Sequence, residues 1–145
     1  MLKISPFLWF DDQAEEAANL YVGIFPNSRI IAVTPMTVQF ELDGLPVTAL
    51  NGGPAHYHFT EAFSFSVMCD DQAEVDRYWT ALTEGGAESQ CGWLKDRFGL
   101  SWQIVPKALP RLLGDPDRER ANRAIQAMLR MRKLDIAALE DAAAS

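Results

Sequence analysis

Apolar residues at positions 14, 17, 18, 21, 22 and 25 fall at the i, i+3, i+4, i+7 spacing of a single helix face. Val75, Tyr78, Trp79 and Leu82 show the same spacing farther along the chain. An apolar, strand-like run precedes each helix, at residues 4–10 and 62–69, and each helix opens on the pentapeptide Asp-Asp-Gln-Ala-Glu, at 11–15 and again at 70–74. Acidic and amide side chains at a helix entry accept hydrogen bonds from its first N–H groups, so such a string can arise twice for that reason alone. Because the flanking elements repeat as well, the pattern reads as an internal duplication offset by 59 residues.

Three short strands are predicted after each helix: residues 29–34, 36–42 and 45–50 in the first half, and 87–90, 92–95 and 100–105 in the second. Pro26-Asn27 and Gly85-Gly86 stop the helices, Asp43-Gly44 marks a two-residue hairpin, and Arg97-Phe98-Gly99 a turn that Asp96 shapes. The chain is therefore α+β, with β-α-β-β-β twice. The expected organisation is a single domain: module one at 1–51, a linker at 52–61, module two at 62–106 and a helical tail at 107–145. Two curved mixed sheets around a cavity, with the helices outside, would satisfy this order. In the tail, Leu109, Leu112 and Leu113 form a short helix ended by Gly114. Asp115-Pro116 reads as the start of a second helix that buries Ala121, Ala124, Ile125, Met128 and Leu129 and exposes Arg118, Arg120, Arg123 and Arg130. A last helix runs from 136 to 143.

Composition narrows the function. The 145 residues are 48% apolar, enough for a core, and no run approaches the length of a membrane span. Twenty Asp+Glu against 13 Lys+Arg give a net charge of −7, the wrong sign for nucleic acid and favourable to an aromatic or cationic ligand. The first residues carry no secretory pattern, and two cysteines, Cys69 and Cys91, make neither a disulfide framework nor a zinc site. A cytoplasmic protein is expected.

Several segments carry a resemblance: Pro6-Phe7-Leu8-Trp9-Phe10, Ala14-Glu15-Glu16-Ala17 with Tyr21, Ile24-Phe25-Pro26-Asn27-Ser28, and 49–54, Ala-Leu-Asn-Gly-Gly-Pro. Residues 91–103, Cys-Gly-Trp-Leu-Lys-Asp-Arg-Phe-Gly-Leu-Ser-Trp-Gln, and 134–139, Leu-Asp-Ile-Ala-Ala-Leu, complete the set. Together they resemble the vicinal oxygen chelate superfamily, the glyoxalase/bleomycin-resistance fold, and within it the PhnB-like branch often labelled demethylubiquinone methyltransferase-like. The resemblance implies a homodimer and four metal ligands on the first and last strands of the modules. Relatives usually carry a longer glycine-rich loop where Thr34-Pro35-Met36-Thr37 stands here.

The 59-residue offset pairs Ser5 with Ser64, Phe7 with Ser66 and Trp9 with Met68, while aligning Gly44 with Gly99 pairs Thr48 with Gln103. Strand alternation puts Leu8, Phe10, Phe65 and Val67 on the helix-covered face. The inferred metal positions are then Ser5, Thr48, Ser64 and Gln103, a set without imidazole, thiolate or carboxylate, so no tightly bound metal and no cofactor are expected. What remains is a small-molecule pocket with ligand-binding candidates Phe7, Trp9, Thr48, Asn51, Ser64, Ser66 and Gln103. Phe7 and Trp9 equally suit a core, and Asn51 equally suits a turn. His56 and His58 flank Tyr57 in the linker as a His-x-His pair that can bind metal or simply face solvent, and both cysteines read as buried small hydrophobes.

An S-adenosylmethionine site needs a glycine-rich strand-to-helix turn, and neither Gly52-Gly53 nor Gly85-Gly86 stands in one. Three classes stay open: a metal-free small-molecule binding protein; an enzyme of the superfamily's lyase, isomerase, transferase or dioxygenase type with an atypical site; and a ligand-free structural or regulatory dimer. No partner nucleic acid and no membrane are expected.

Overall fold

In the computed structural model, which describes residues 2–54 and 57–145, both helices start at the repeated pentapeptide but are capped differently. Helix α1 (Ala14–Ile24) receives its cap from a distant residue: the Ala14 N–H donates to Asn51 Oδ1 at 2.9 Å. Helix α2 (Gln72–Thr83) caps itself, with Glu74 N–H donating to the Asp71 carboxylate at 2.9 Å and Asp70 N–H to Glu74 Oε1 at 2.6 Å. That reciprocal pair satisfies two otherwise orphaned donors.

The described chain divides into two compact units, one ending at His58 and one from Phe59 to Ser145. In the first, β1 (Phe7–Phe10), β2 (Arg29–Val33), β3 (Thr37–Leu42) and β4 (Leu45–Asn51) form one mixed sheet in the order β1-β4-β3-β2. β1 runs parallel to β4, and the other pairs are antiparallel. Asp43 and Gly44 both take positive φ (49° and 79°), the geometry that lets a two-residue turn follow the twist of β3 and β4. Leu8, Phe10, Val38, Phe40, Val47 and Ala49 bury one face of the sheet, and α1 buries Ala14, Ala17, Ala18 and Tyr21. Between β2 and β3 the Thr34 hydroxyl accepts the Met36 and Thr37 N–H groups at 3.2 and 2.9 Å, which closes the connection in three residues.

The second unit repeats the plan with β5 (Ser64–Cys69), α2, β6 (Ala87–Glu88), β7 (Trp93–Lys95) and β8 (Ser101–Pro106), in the order β5-β8-β7-β6. The parallel ladders carry the duplication in their register: Phe7 stands opposite Thr48, and Ser66 opposite Gln103. Val75, Tyr78, Trp79 and Leu82 of α2 are buried, as are Leu94, Trp102 and Ile104 of the sheet. Phe65 and Val67, expected on the same face, are only half-buried. The Phe65 ring lies 5.0 Å from that of Trp102, with Phe63 edge-on to it at 5.4 Å.

Several boundaries differ from expectation. β1 begins at Phe7 rather than at residue 4, since its ladder partners run only from Thr48 to Asn51. β5 begins at Ser64 rather than 62, and β6 is only two residues long. In the tail, α3 (Ala108–Leu113), α4 (Arg118–Leu129) and α5 (Ile136–Ala144) form as expected, but Asp117 rather than Asp115 caps α4. The Asp115 carboxylate instead accepts the Asp117 N–H at 2.8 Å and the Arg120 Nε–H at 3.2 Å, so the helix starts two residues later. Those bonds, the Asp117 N–H first, hold the Asp115 carboxyl below its usual range. Leu129, expected inside, is exposed. Arg123, expected in solvent, donates to the carbonyls of Ala142 and Ala143 at 3.2 and 2.8 Å and so closes the end of α5.

The tail packs on module two. Leu109, Leu112, Ala124, Leu134, Leu139 and Ala143 form one buried cluster. The Cys91 and Gly92 N–H groups donate to the carbonyls of Met131 and Arg132, both at 2.8 Å. Gln72, the central residue of the second pentapeptide, clamps the chain before α5: its Nε2 donates to the Leu134 carbonyl at 3.0 Å, and its Oε1 accepts the Ile136 N–H at 2.8 Å. Nearby, Lys133 Nζ lies 2.9 Å from Asp76. Among the described residues no helix is long and apolar enough to cross a membrane.

Candidate functional site

Alternation along β1 turns Phe7 and Trp9 away from the helix-covered side of the first sheet. Phe7 is 61% exposed, so it is not core, and Thr48, its partner across the ladder, is half-buried. The Trp9 ring lies directly over Gly52, where a methyl group would stand 2.2 Å from the ring. Tyr57 meets the same ring edge-on, 5.0 Å between centroids. The indole Nε1–H of Trp9 is buried and has no acceptor among the described residues. A buried donor without a partner costs about 1–3 kcal/mol, which makes the Trp9 indole a candidate hydrogen-bond donor.

Asn51, placed in the sequence as either ligand contact or turn residue, uses its side-chain oxygen on the first N–H of α1. One residue on, Gly52 N–H donates to the Phe10 carbonyl at 2.8 Å. The Asn51-Gly52 step therefore ties the helix start, the end of β1 and the Trp9 ring together. Gly52→Ala should expel Trp9 from its seat, since no rotamer change by the methyl can relieve a 2.2 Å contact. The expected readout is a red-shifted Trp emission and a loss of about 1–3 kcal/mol of stability; unchanged emission and stability would contradict this placement.

In the second unit Gln103 and Ser64 come together as the duplication implied, with Gln103 Nε2 donating to Ser64 Oγ at 3.0 Å. Ser66 is exposed opposite Gln103, and Met68, the counterpart of Trp9, is 51% exposed. The sequence reasoning passed over Ser101, the ladder partner of both Ser64 and Lys95. Ser101 is fully buried, and its hydroxyl has no partner among the described residues. Its parity with Gln103, two residues on, was the signal that could have found it. Above it, Lys95 Nζ lies 3.1 Å from Glu61, and that hydrogen bond holds the Glu61 carboxyl below its usual range.

The other candidates stand apart. His58 is exposed, and His56 lies outside the described residues. Burial, reinforced by the charges of Glu74 and Asp70, pushes the Cys69 thiol up to about 12, which leaves it unreactive near neutral pH. Asp96, read as a turn residue, is buried; it accepts the N–H groups of Phe98 and Leu100 on Oδ1 at 2.8 and 3.1 Å and the indole N–H of Trp102 on Oδ2 at 2.9 Å.

The metal positions implied by the fold do not fit a transition metal. Ser5, Thr48 and Ser64 offer neutral hydroxyls, and Ser64 already accepts the amide N–H of Gln103. Among the described residues no three His, Cys, Asp or Glu side chains stand together as a ligand set. Both glycine pairs have packing reasons for being glycine. Gly52 seats Trp9, and a methyl on Gly86 would lie 2.1 Å from the Lys95 carbonyl.

Comparison with known proteins places this geometry in context. The sequence model of the family described as 3-demethylubiquinone-9 3-methyltransferase matches residues 2–105. A solved structure described as a putative 3-demethylubiquinone-9 3-methyltransferase, PhnB protein, from Bacillus cereus is 28% identical, with a TM-score of 0.69 over 72% of this chain and 99% of that one. The fosfomycin resistance protein FosX from Mesorhizobium loti is 16% identical, with a TM-score of 0.55 over 77% of this chain and 99% of that one. A glyoxalase-related enzyme from Fulvimarina pelagi is 12% identical, with a TM-score of 0.52 over 74% and 91%. These last two show a common fold and nothing more. No curated protein matches the chain. The match to the family model ends at Val105, so the helical tail, including the segment 134–139, lies beyond it.

Proposed function

The chain belongs to the 3-demethylubiquinone-9 3-methyltransferase family, the PhnB-like branch of the vicinal oxygen chelate superfamily, and within it we propose a metal-free binder of small molecules rather than a methyltransferase. The observation that carries this reading is Trp9: an indole N–H that is buried, unpartnered among the described residues, and set beside the exposed ring of Phe7. A ligand that brings an aromatic surface and a hydrogen-bond acceptor would use both. The second unit carries polar groups of its own, the Ser64–Gln103 pair and the exposed Ser66. Because the donor set at the implied metal positions is neutral, binding is expected without added metal ion.

Calorimetric titration of the chelator-treated protein with phenethylammonium, 3-phenylpropanoate and 3-phenylpropanamide tests this reading. At least one probe should bind saturably. Trp9→Phe, which keeps a ring and removes the N–H, should weaken that binding by about tenfold, the worth of one buried hydrogen bond. Binding that requires a divalent metal, or no binding by any probe, would overturn it. Exposed apolar side chains, Phe7, Met36, Phe63 and Met68, support a homodimeric assembly, which sedimentation at micromolar concentration checks. The low cysteine content supports a cytoplasmic setting.

A further inference from the structure

Ladder partners share a face, so the register of the first sheet sets out what stands beside Phe7 on the side away from α1. Phe7 is opposite Thr48, Thr48 opposite Gln39, and Gln39 opposite Ala32, so one row crosses all four strands. The next row carries Trp9, Leu50 and Thr37. Phe7 and Gln39 are exposed, Thr48 is half-buried, and the Gln39 amide has no partner among the described residues. Neighbouring strands lie about 4.8 Å apart, which puts Gln39 about 10 Å from Phe7 along the row. A ring joined to a polar group by a short chain spans that distance.

Charge decides which polar group. The four strands of this sheet hold only two charged residues, Arg29 and Glu41. They face each other across β2 and β3 in the adjoining row and neutralise one another at 3.4 Å. The polar groups nearer the two rings are all neutral: the hydroxyls of Thr48 and Thr37 and the amide of Gln39. Thr37 already shares its hydroxyl with Thr34 at 3.0 Å, which leaves Thr48 and Gln39. An ammonium or a carboxylate group brought here would shed water without meeting a counter-charge. A carboxamide sheds less, and the Gln39 side chain matches its donor and its acceptor one for one. We propose that this face selects an uncharged ligand, an aromatic ring joined to a carboxamide, with the ring on Phe7 and Trp9 and the carboxamide on Gln39 and Thr48. This rests on the small-molecule reading above and names the ligand class of that same site, with Gln39 as the residue that sets it.

Calorimetric ranking of three probes on the full, chelator-treated chain tests it. 3-Phenylpropanamide should bind about tenfold tighter than either phenethylammonium or 3-phenylpropanoate, which share its ring and differ in charge. Gln39→Leu should weaken the amide by about fivefold, the worth of one hydrogen bond. Gln39→Glu should turn the preference towards phenethylammonium, and Gln39→Lys towards 3-phenylpropanoate. All three variants should keep the parent's melting temperature, because the position is exposed. A charged probe that binds the unaltered protein as tightly as the amide would overturn the proposal while leaving the small-molecule reading intact. So would Gln39 variants that leave the ranking unchanged. No binding by any of the three probes would remove both.

Discussion

Asp96→Ala should lower the unfolding free energy by about 3–5 kcal/mol, the largest loss expected from one substitution outside the apolar core. Asp96 is 2% exposed, and its two oxygens hold three donors: the N–H groups of Phe98 and Leu100 in the β7–β8 turn, and the indole of Trp102. Alanine would remove the carboxylate that accepts from Leu100 and Trp102 in a site that water does not reach, at about 1–3 kcal/mol for each bond. Trp102 is the largest fully buried side chain and packs on Phe65, so the damage would reach the middle of the second sheet. Asp96→Asn keeps an acceptor for the turn but sets an amide against at least one donor, and should cost less. Urea denaturation followed by Trp fluorescence reads both variants. A loss below about 1 kcal/mol for alanine would mean that the three bonds do not hold the turn.

The second large effect concerns the tail. Leu134→Ala should cost about 3–4 kcal/mol, because a fully buried leucine leaves both its transfer free energy and a cavity behind. Here the cavity cannot collapse easily. A methyl on Gly92 would already lie 2.9 Å from Leu134 Cδ1 and 3.0 Å from the Ile104 carbonyl, so Leu134 fills a space that Gly92, at φ 86°, keeps open. Loosening that contact also weakens the Gln72 clamp on either side of Asp135. Trypsin offers a local readout, since Arg130, Arg132 and Lys133 are exposed just upstream. Cleavage there should accelerate by more than tenfold in the variant, and an unchanged rate would show that the tail is held elsewhere.

Much of the architecture was legible because periodicity and duplication agree. Ala14, Ala17, Ala18 and Tyr21 lie on the predicted face of α1, and the 59-residue offset placed Phe7 and Ser66 at the same rung of two parallel ladders. The strand ends were less legible. A run such as residues 4–10 is apolar throughout, and only the partner strand decides where pairing begins. Asp115 and Asp117 show the same limit at a helix start: both can cap, and an arginine five residues on draws one of them away. Of the candidate site, the Gln103–Ser64 contact follows from the repeat, whereas Ser101 was hidden by its small side chain and by Trp102 beside it. The jobs of Asn51 and Gly52, holding α1 and seating Trp9, are long-range, and nothing near them in sequence announces either one.

The same five residues open both helices, yet in the first copy a strand residue supplies the cap, while in the second Asp71 and Glu74 supply it locally and leave the Gln72 amide for the tail. This asymmetry sets an order of events during synthesis. Module one can close once Asn51 has left the ribosome, a little over a third of the way along the chain. Module two keeps the seat of Leu134 bare, and the Cys91 and Gly92 N–H groups unmatched, until some forty further residues have been made. At roughly 5–20 residues per second, that is an exposure of several seconds. For that interval the newborn chain presents a finished first half and an unsealed second half, and a chaperone that meets it will find its apolar target around Gly92.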